Sequence, residues 1–113
     1  MAIVRNLVVD KYSNFEKIVA LYDKNKEPFD LTNYTASSQI RKFTDLSIVT
    51  TFTCDIVQPA NTGKILISLS YSDTANANPG IYSYDILLSS SIDPNEKLRA
   101  VQGEVEITAN ITE

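Results

Sequence analysis

The sequence has no histidine, no tryptophan, one cysteine and three glycines among its 113 residues. Without histidine, a Ser-His-Asp triad, a Cys-His nucleophile and the usual ligand sets of zinc are excluded. Cys54 has no partner for an internal disulfide; in IVTTFTCDIV it shares a strand face with Phe52 and Ile56, the setting of a small buried hydrophobe. Gly63, Gly80 and Gly103 are too far apart to form a phosphate-cradling GxGxxG loop. No DxDxDG-type calcium loop occurs either, so neither a metal nor a cofactor is expected. No apolar run reaches the ~20 residues of a membrane span, and no membrane role is expected. The N-terminus MAIVRNLVVDKY lacks the apolar stretch of a secretory signal, which predicts a chain made in the cytoplasm. Ten basic residues, scattered among fourteen acidic ones, give a net charge of −4 and argue against a nucleic-acid partner.

What remains is an ordinary globular composition, 43% hydrophobic and 21% charged, of a length that suits one domain over residues 1–113. The hydrophobic period is two almost throughout. Ile3, Leu7 and Val9 share one face; Phe15–Tyr22 reads as a strand apolar on both sides. Ala36, Ser38 and Ile40 alternate with Ser37, Gln39 and Arg41. Ile48, Phe52, Cys54 and Ile56 are predicted inward, as are Ile65, Ile67 and Leu69. Tyr82, Tyr84, Ile86 and Leu88 oppose Ser83, Asp85 and Leu87, and a last strand runs from Leu98 to Ile111. Polar breaks separate these runs, the one at Ser72–Gly80 long enough for a helical turn. The pattern predicts an all-β, antiparallel β-sandwich of about seven strands. Gly103 falls mid-strand on the inward face, where glycine marks a bulge or a close backbone approach.

Few residues invite a chemical reading. Glu104 and Glu106 share a strand face ~7 Å apart, a spacing open to acid–base work but equally that of a solvated strand face. Asp23, Asp30, Asp45 and Asp93 fall in predicted turns, where aspartate caps the local backbone. Asn33-Tyr34-Thr35 and Asn110-Ile111-Thr112 match glycosylation sequons, read as chance in a chain with no secretory signal. Tyr12, Tyr22, Tyr34 and Tyr71 are predicted exposed but spread along the chain, and a sugar-binding β-sandwich is the alternative they leave open.

The order of landmarks resembles a known family. Asp30-Leu-Thr-Asn-Tyr-Thr35 is followed by Gln39-Ile-Arg-Lys42, then Gly63-Lys-Ile-Leu-Ile-Ser-Leu-Ser70, Gly80-Ile-Tyr-Ser-Tyr-Asp85, and Gly103-Glu-Val-Glu-Ile-Thr108 with Asn110-Ile-Thr112. This resembles the small immunoglobulin-like domains of tailed-phage virion proteins, and is similar to the N-terminal domain of upper-baseplate proteins. The resemblance spans roughly residues 3–112. Where the family pattern has glycine, this chain has Asn33, which also tolerates the left-handed conformation. Upper-baseplate proteins continue well beyond the point where this sequence stops, so capsid decoration, neck and tail positions are expected alongside the baseplate.

The resemblance implies an immunoglobulin-like sandwich acting without catalysis, in many copies, through contacts with other virion proteins. Ile3, Arg5, Leu7, Asp93 and Ile111 are the expected partner contacts. It also gives the IYSYD stretch a structural meaning. In such sandwiches a tyrosine shortly after a turn glycine fills the core while its hydroxyl bonds back to the corner. Gly80 and Tyr82 have that spacing; Tyr84 is expected inward and Asp85 outward.

Overall fold

The computed structural model describes residues 3–93 and 95–108. Its strands are β1 (Ile3–Val4), β2 (Leu7–Asp10), β3 (Phe15–Ala20), β4 (Tyr34–Arg41), β5 (Ile48–Ile56), β6 (Lys64–Leu69), β7 (Gly80–Ser90) and β8 (Lys97–Thr108). A 3-10 turn, Ala60–Thr62, precedes β6, and a helix α1, Tyr71–Ala75, bridges β6 and β7.

Two layers follow from the pairing. The front layer runs β1/β2–β8–β7–β4–β5, and the back layer runs β5–β6–β3. Strand β5 belongs to both: Thr50–Phe52 pair with β4, and Thr53–Ile56 pair with β6. Neighbours are antiparallel except at one edge, where β1 and β2 run parallel to β8. The expected antiparallel sandwich carries this one parallel edge. The Lys11–Asn14 turn carries the chain from β2 into the back layer. The first strand must therefore run toward the end of the sandwich at which β8 also finishes. The expected single first strand is split at Arg5–Asn6, although one register, Ile3 opposite Val101 and Leu7 opposite Val105, holds on both sides of the break.

The inward positions meet in one core. Val9, Ile40, Ile65, Ile67, Ile86, Leu88, Val101 and Val105 have no exposed surface at all. Phe52 joins the layers, its ring 5.9 Å from Phe15 and 5.8 Å from Tyr84, the latter edge-on. Burying a side chain of this size stabilises the fold by about 1.5–3 kcal/mol relative to leaving it in water.

Two readings of the alternation fail, each for a local reason. Ile48, predicted inward, is exposed. Thr50 pairs with Ile40 but Ile48 with Arg41, so Val49 is an extra residue that resets the alternation. Ile18, in the strand read as apolar on both sides, is also exposed. Strand β3 is the free edge of the back layer, and among the described residues no strand pairs beyond it. On the inner face of that strand Lys17 stands opposite Ile67, between Phe15 and Val19. A second extra residue, Ala100, lies in β8 opposite the Ile86–Leu87 step and is buried beside Val101.

The Ser72–Gly80 break does hold a helical turn. Ser70 caps α1 by accepting from the Asp73 N–H, while the Asp73 carboxylate accepts from the Ser70 N–H, satisfying two otherwise unpaired donors. Buried Thr74 donates to the Ser13 carbonyl at 2.7 Å, and Lys11 Nζ donates to the carbonyls of Ala75 and Ala77 at 2.8 and 2.7 Å. These bonds fasten α1 to the β2–β3 turn. Asn33 has φ +67°, the left-handed conformation expected of it.

Candidate interaction surface

The IYSYD stretch is a structural element. Tyr82 and Tyr84 are 8% and 4% exposed, too little for either ring to serve as a binding platform. The Tyr82 hydroxyl donates to the Asn78 carbonyl at 2.6 Å, back across the corner that Gly80 opens with φ +154°. The Tyr84 hydroxyl donates to the Arg5 carbonyl at 2.7 Å. Burial pushes the Tyr84 phenol up to about 12, with nearby Arg5 pulling weakly the other way. Asp85 faces outward and pairs with Arg99 Nε at 3.2 Å.

Gly103 is a site of close backbone approach. It lies opposite Tyr84, and a Cβ there would overlap the Arg5 carbonyl. Asn6 completes the break between β1 and β2, its side-chain oxygen accepting from the Glu104 N–H at 3.1 Å.

The expected contact residues are dispersed. Leu7 is buried in the core, so its expected role as a partner contact is withdrawn: the alternation that made it prominent turns it inward. Arg5 is exposed. Half-buried Ile3 lines an apolar recess of about 450 Å³ with Leu21, Phe29 and Leu98, and Tyr22 stands at the same recess. Asp93 is exposed, its carboxylate accepting from the Asn95 N–H at 3.0 Å within the β7–β8 turn. Ile111 lies outside the described residues. Glu104 and Glu106 are both exposed on the outer face of the front layer. Tyr34 donates to Glu96 at 2.8 Å, a bond that raises its phenol pKa. Tyr12 and Tyr71, distant in sequence, come together with ring centroids 6.3 Å apart and planes tilted by 44°.

One concave feature was not among the expected sites. It is a shallow groove of about 790 Å³ on the outer face of the front layer, lined among others by Arg41, Phe43, Leu46, Ser83, Leu87 and Glu104. Cross-strand pairing orders the face into rows. Asn6, Glu104, Ser83, Arg41 and Ile48 form one row; Val4, Gln102, Asp85 and Gln39 form the next. Ile81 and Val8, with Glu106 between them, lie in the row nearest the β4–β5 hairpin. Val8, Ile48, Ile81, Phe43 and Leu46 are all more than half exposed, the last two in the hairpin itself. Exposed apolar side chains gathered on one face make it a candidate interaction surface. The signal in the sequence is Phe43 and Leu46 inside a six-residue turn, LysPheThrAspLeuSer, where polar residues alone would suffice.

Among the described residues no group of three acidic or thiol side chains is placed to hold a metal ion, and no helix is long and apolar enough to cross a membrane. No protein-family model matches the sequence. No curated protein matches it either. Solved structures do match the fold. The second Ig domain of the mouse polymeric immunoglobulin receptor superposes with a TM-score of 0.50 at 11% identity, over 97% of this chain and 99% of that one. A chain of the ICOS complex with ICOS-L and an anti-ICOS-L VNAR domain gives 0.48 at 11% identity, over 96% of this chain and 56% of that one. The extracellular domain of the voltage-gated sodium channel beta4 subunit gives 0.43 at 11%, over 96% and 93%. The protein is an immunoglobulin-like β-sandwich.

Proposed function

We propose that the chain is a non-enzymatic structural protein of a tailed-phage virion, acting through protein–protein contacts in a symmetric assembly. The ordered motifs from Asp30 to Thr108 support the virion setting. The observation that carries the contact role is the outer face of the front layer, where Phe43, Leu46, Ile48 and Ile81 are exposed around a groove. An assembly multiplies a modest contact into avidity, so a shallow apolar face serves such a role well. Particles encoded by the same genome are the test. Quantitative mass spectrometry of purified virions should find the chain in a copy number matching a symmetry of the head, neck, tail or baseplate. Its absence from the particle would overturn the reading.

A second reading, a glycan-binding module, draws on the Tyr12–Tyr71 pair. Binding of the purified chain on a glycan array, lost in Tyr71→Ala, would favour it over the structural role.

A further inference from the structure

We infer that the outer face of the front layer is a two-fold self-association surface, in which Arg41 of one copy meets Glu104 of a second copy. The observations are three. First, among the described residues neither charge has an ionic partner, the one ion pair being Arg99–Asp85. The Arg41 guanidinium donates to the Leu46 carbonyl at 3.0 Å and to Gln39, both neutral groups. Secondly, the two charges occupy one row, Glu104 on β8 and Arg41 on β4, with Ser83 of β7 between them. At ~4.8 Å per strand they stand ~10 Å apart, too far to pair within one chain. Thirdly, β7 is the middle strand of the five-strand face, flanked by β8 and β4.

A two-fold axis lying along β7 in the plane of contact superimposes β8 of each copy on β4 of the other and keeps the rows level. Glu104 then faces Arg41 twice, once on each side of the axis. Gln102 faces Gln39 twice, an amide pair that can donate and accept in both directions. On the axis Ile81 and Leu87 meet their own counterparts, and Ser83 leaves room for close approach. Asp85 also meets its counterpart there, but each is already neutralised by its own Arg99. The twist of the two sheets leaves the strands within about 30° of each other, so rows one strand from the axis stay in register.

The edges of the sandwich offer less. On the β3 edge the inward Lys17 opposes further strand addition. The β1/β2 edge is broken at Arg5–Asn6. Five strands by roughly seven residues give a face of ~20 by ~23 Å. The pair therefore buries on the order of 1,000 Å², the lower end for a specific contact, and the dimer is weak and reversible.

Sedimentation velocity on the purified full chain, from micromolar to near-millimolar concentration, tests this. The wild type should pass reversibly from monomer to dimer, less readily as salt rises. Glu104→Arg and Arg41→Glu should each weaken the dimer by about tenfold or more, and the double reversal should restore it. Circular dichroism and melting temperature establish that each variant is folded; Ile81→Asp, on the axis, supplies a break that does not touch Arg41. A wild type monomeric throughout the range, or single reversals that change nothing, overturns the proposal, as does a double reversal that fails to rescue. Because the readout is the isolated chain, a negative result leaves the virion reading standing. Absence from the particle would likewise leave the dimer standing.

Discussion

The Tyr84 hydroxyl donates a 2.7 Å hydrogen bond to the carbonyl of Arg5, crossing a strand to reach it. The strand between them is β8, and the residue crossed is Gly103, which has no side chain to block the ring. One glycine, one buried tyrosine and one exposed kink in the first strand are thus a single device that holds the N-terminal edge to the core.

Gly103→Ala should therefore be strongly destabilising. The added methyl overlaps the Arg5 carbonyl, and that is backbone, which cannot rotate away. Either β1 and β2 move off β8 or the last strand bends, at a cost of about 2–4 kcal/mol. Urea denaturation would measure the loss, and hydrogen exchange should show Leu7–Asp10 newly unprotected. Unchanged stability would contradict this account of the edge.

Tyr84→Phe tests the other half of the device. The phenyl ring keeps the packing on Phe52, but the Arg5 carbonyl loses its side-chain donor, a cost of about 1–2 kcal/mol. Tyr82→Phe loses the bond to the Asn78 carbonyl and should cost a similar amount. If either substitution is neutral in a thermal melt, its hydroxyl contributes nothing net to the fold.

Stability should fall at alkaline pH. In the folded chain the Tyr84 phenol is raised by burial from 10.0 to about 12, and the Cys54 thiol, raised chiefly by burial and then by Asp55, from 9.0 to about 11. Both groups are neutral acids that the fold keeps protonated. Their contribution is complete below the unfolded values and is lost as pH rises toward the folded ones. Denaturant midpoints should decline between about pH 9 and 12. Tyrosinate absorbance should show a late-titrating component that shrinks in Tyr84→Phe. A thiol that alkylates at pH 8 as fast as a free cysteine would contradict the assignment for Cys54.

Lys17→Val should convert the β3 edge into an adhesive one. Lysine on the inward face of an edge strand keeps a charge where an added strand would bury it. With valine the monomer should be no less stable, yet light scattering should report association. A variant that stays as soluble as the wild type would show that Lys17 has no such protective role.

Much of this was legible because burial imposes a period of two. The Gly80–Tyr82–Tyr84 spacing, the close approach at Gly103 and the left-handed turn at Asn33 follow from residues whose local chemistry admits few alternatives. Ile48 was misplaced because one extra residue, Val49, inverts the alternation, and a bulge leaves no signature in composition. Leu7 was misread as a contact although its own alternation with Val9 turns it inward, and the exposure of Ile18 was hidden because which strand becomes an edge depends on pairing between distant segments. The Arg41–Glu104 row escaped for the same reason. Its members lie 63 positions apart in sequence, and only the shared neighbour Ser83 puts them on one line.

The parallel alignment of β2 with β8 has a mechanical consequence. Pulling the chain ends apart draws the first strand toward its start and the last toward its finish, so the two slide along each other. From Leu7 to Asp10 every rung opposite Val105 to Thr108 is loaded at once, in shear, rather than unzipped one at a time. The Tyr84–Arg5 bond lies behind the same seam as a cross-tie. A chain anchored at both ends should resist tension better than one pulled through the β4–β5 hairpin, a difference that single-molecule force measurements would read directly.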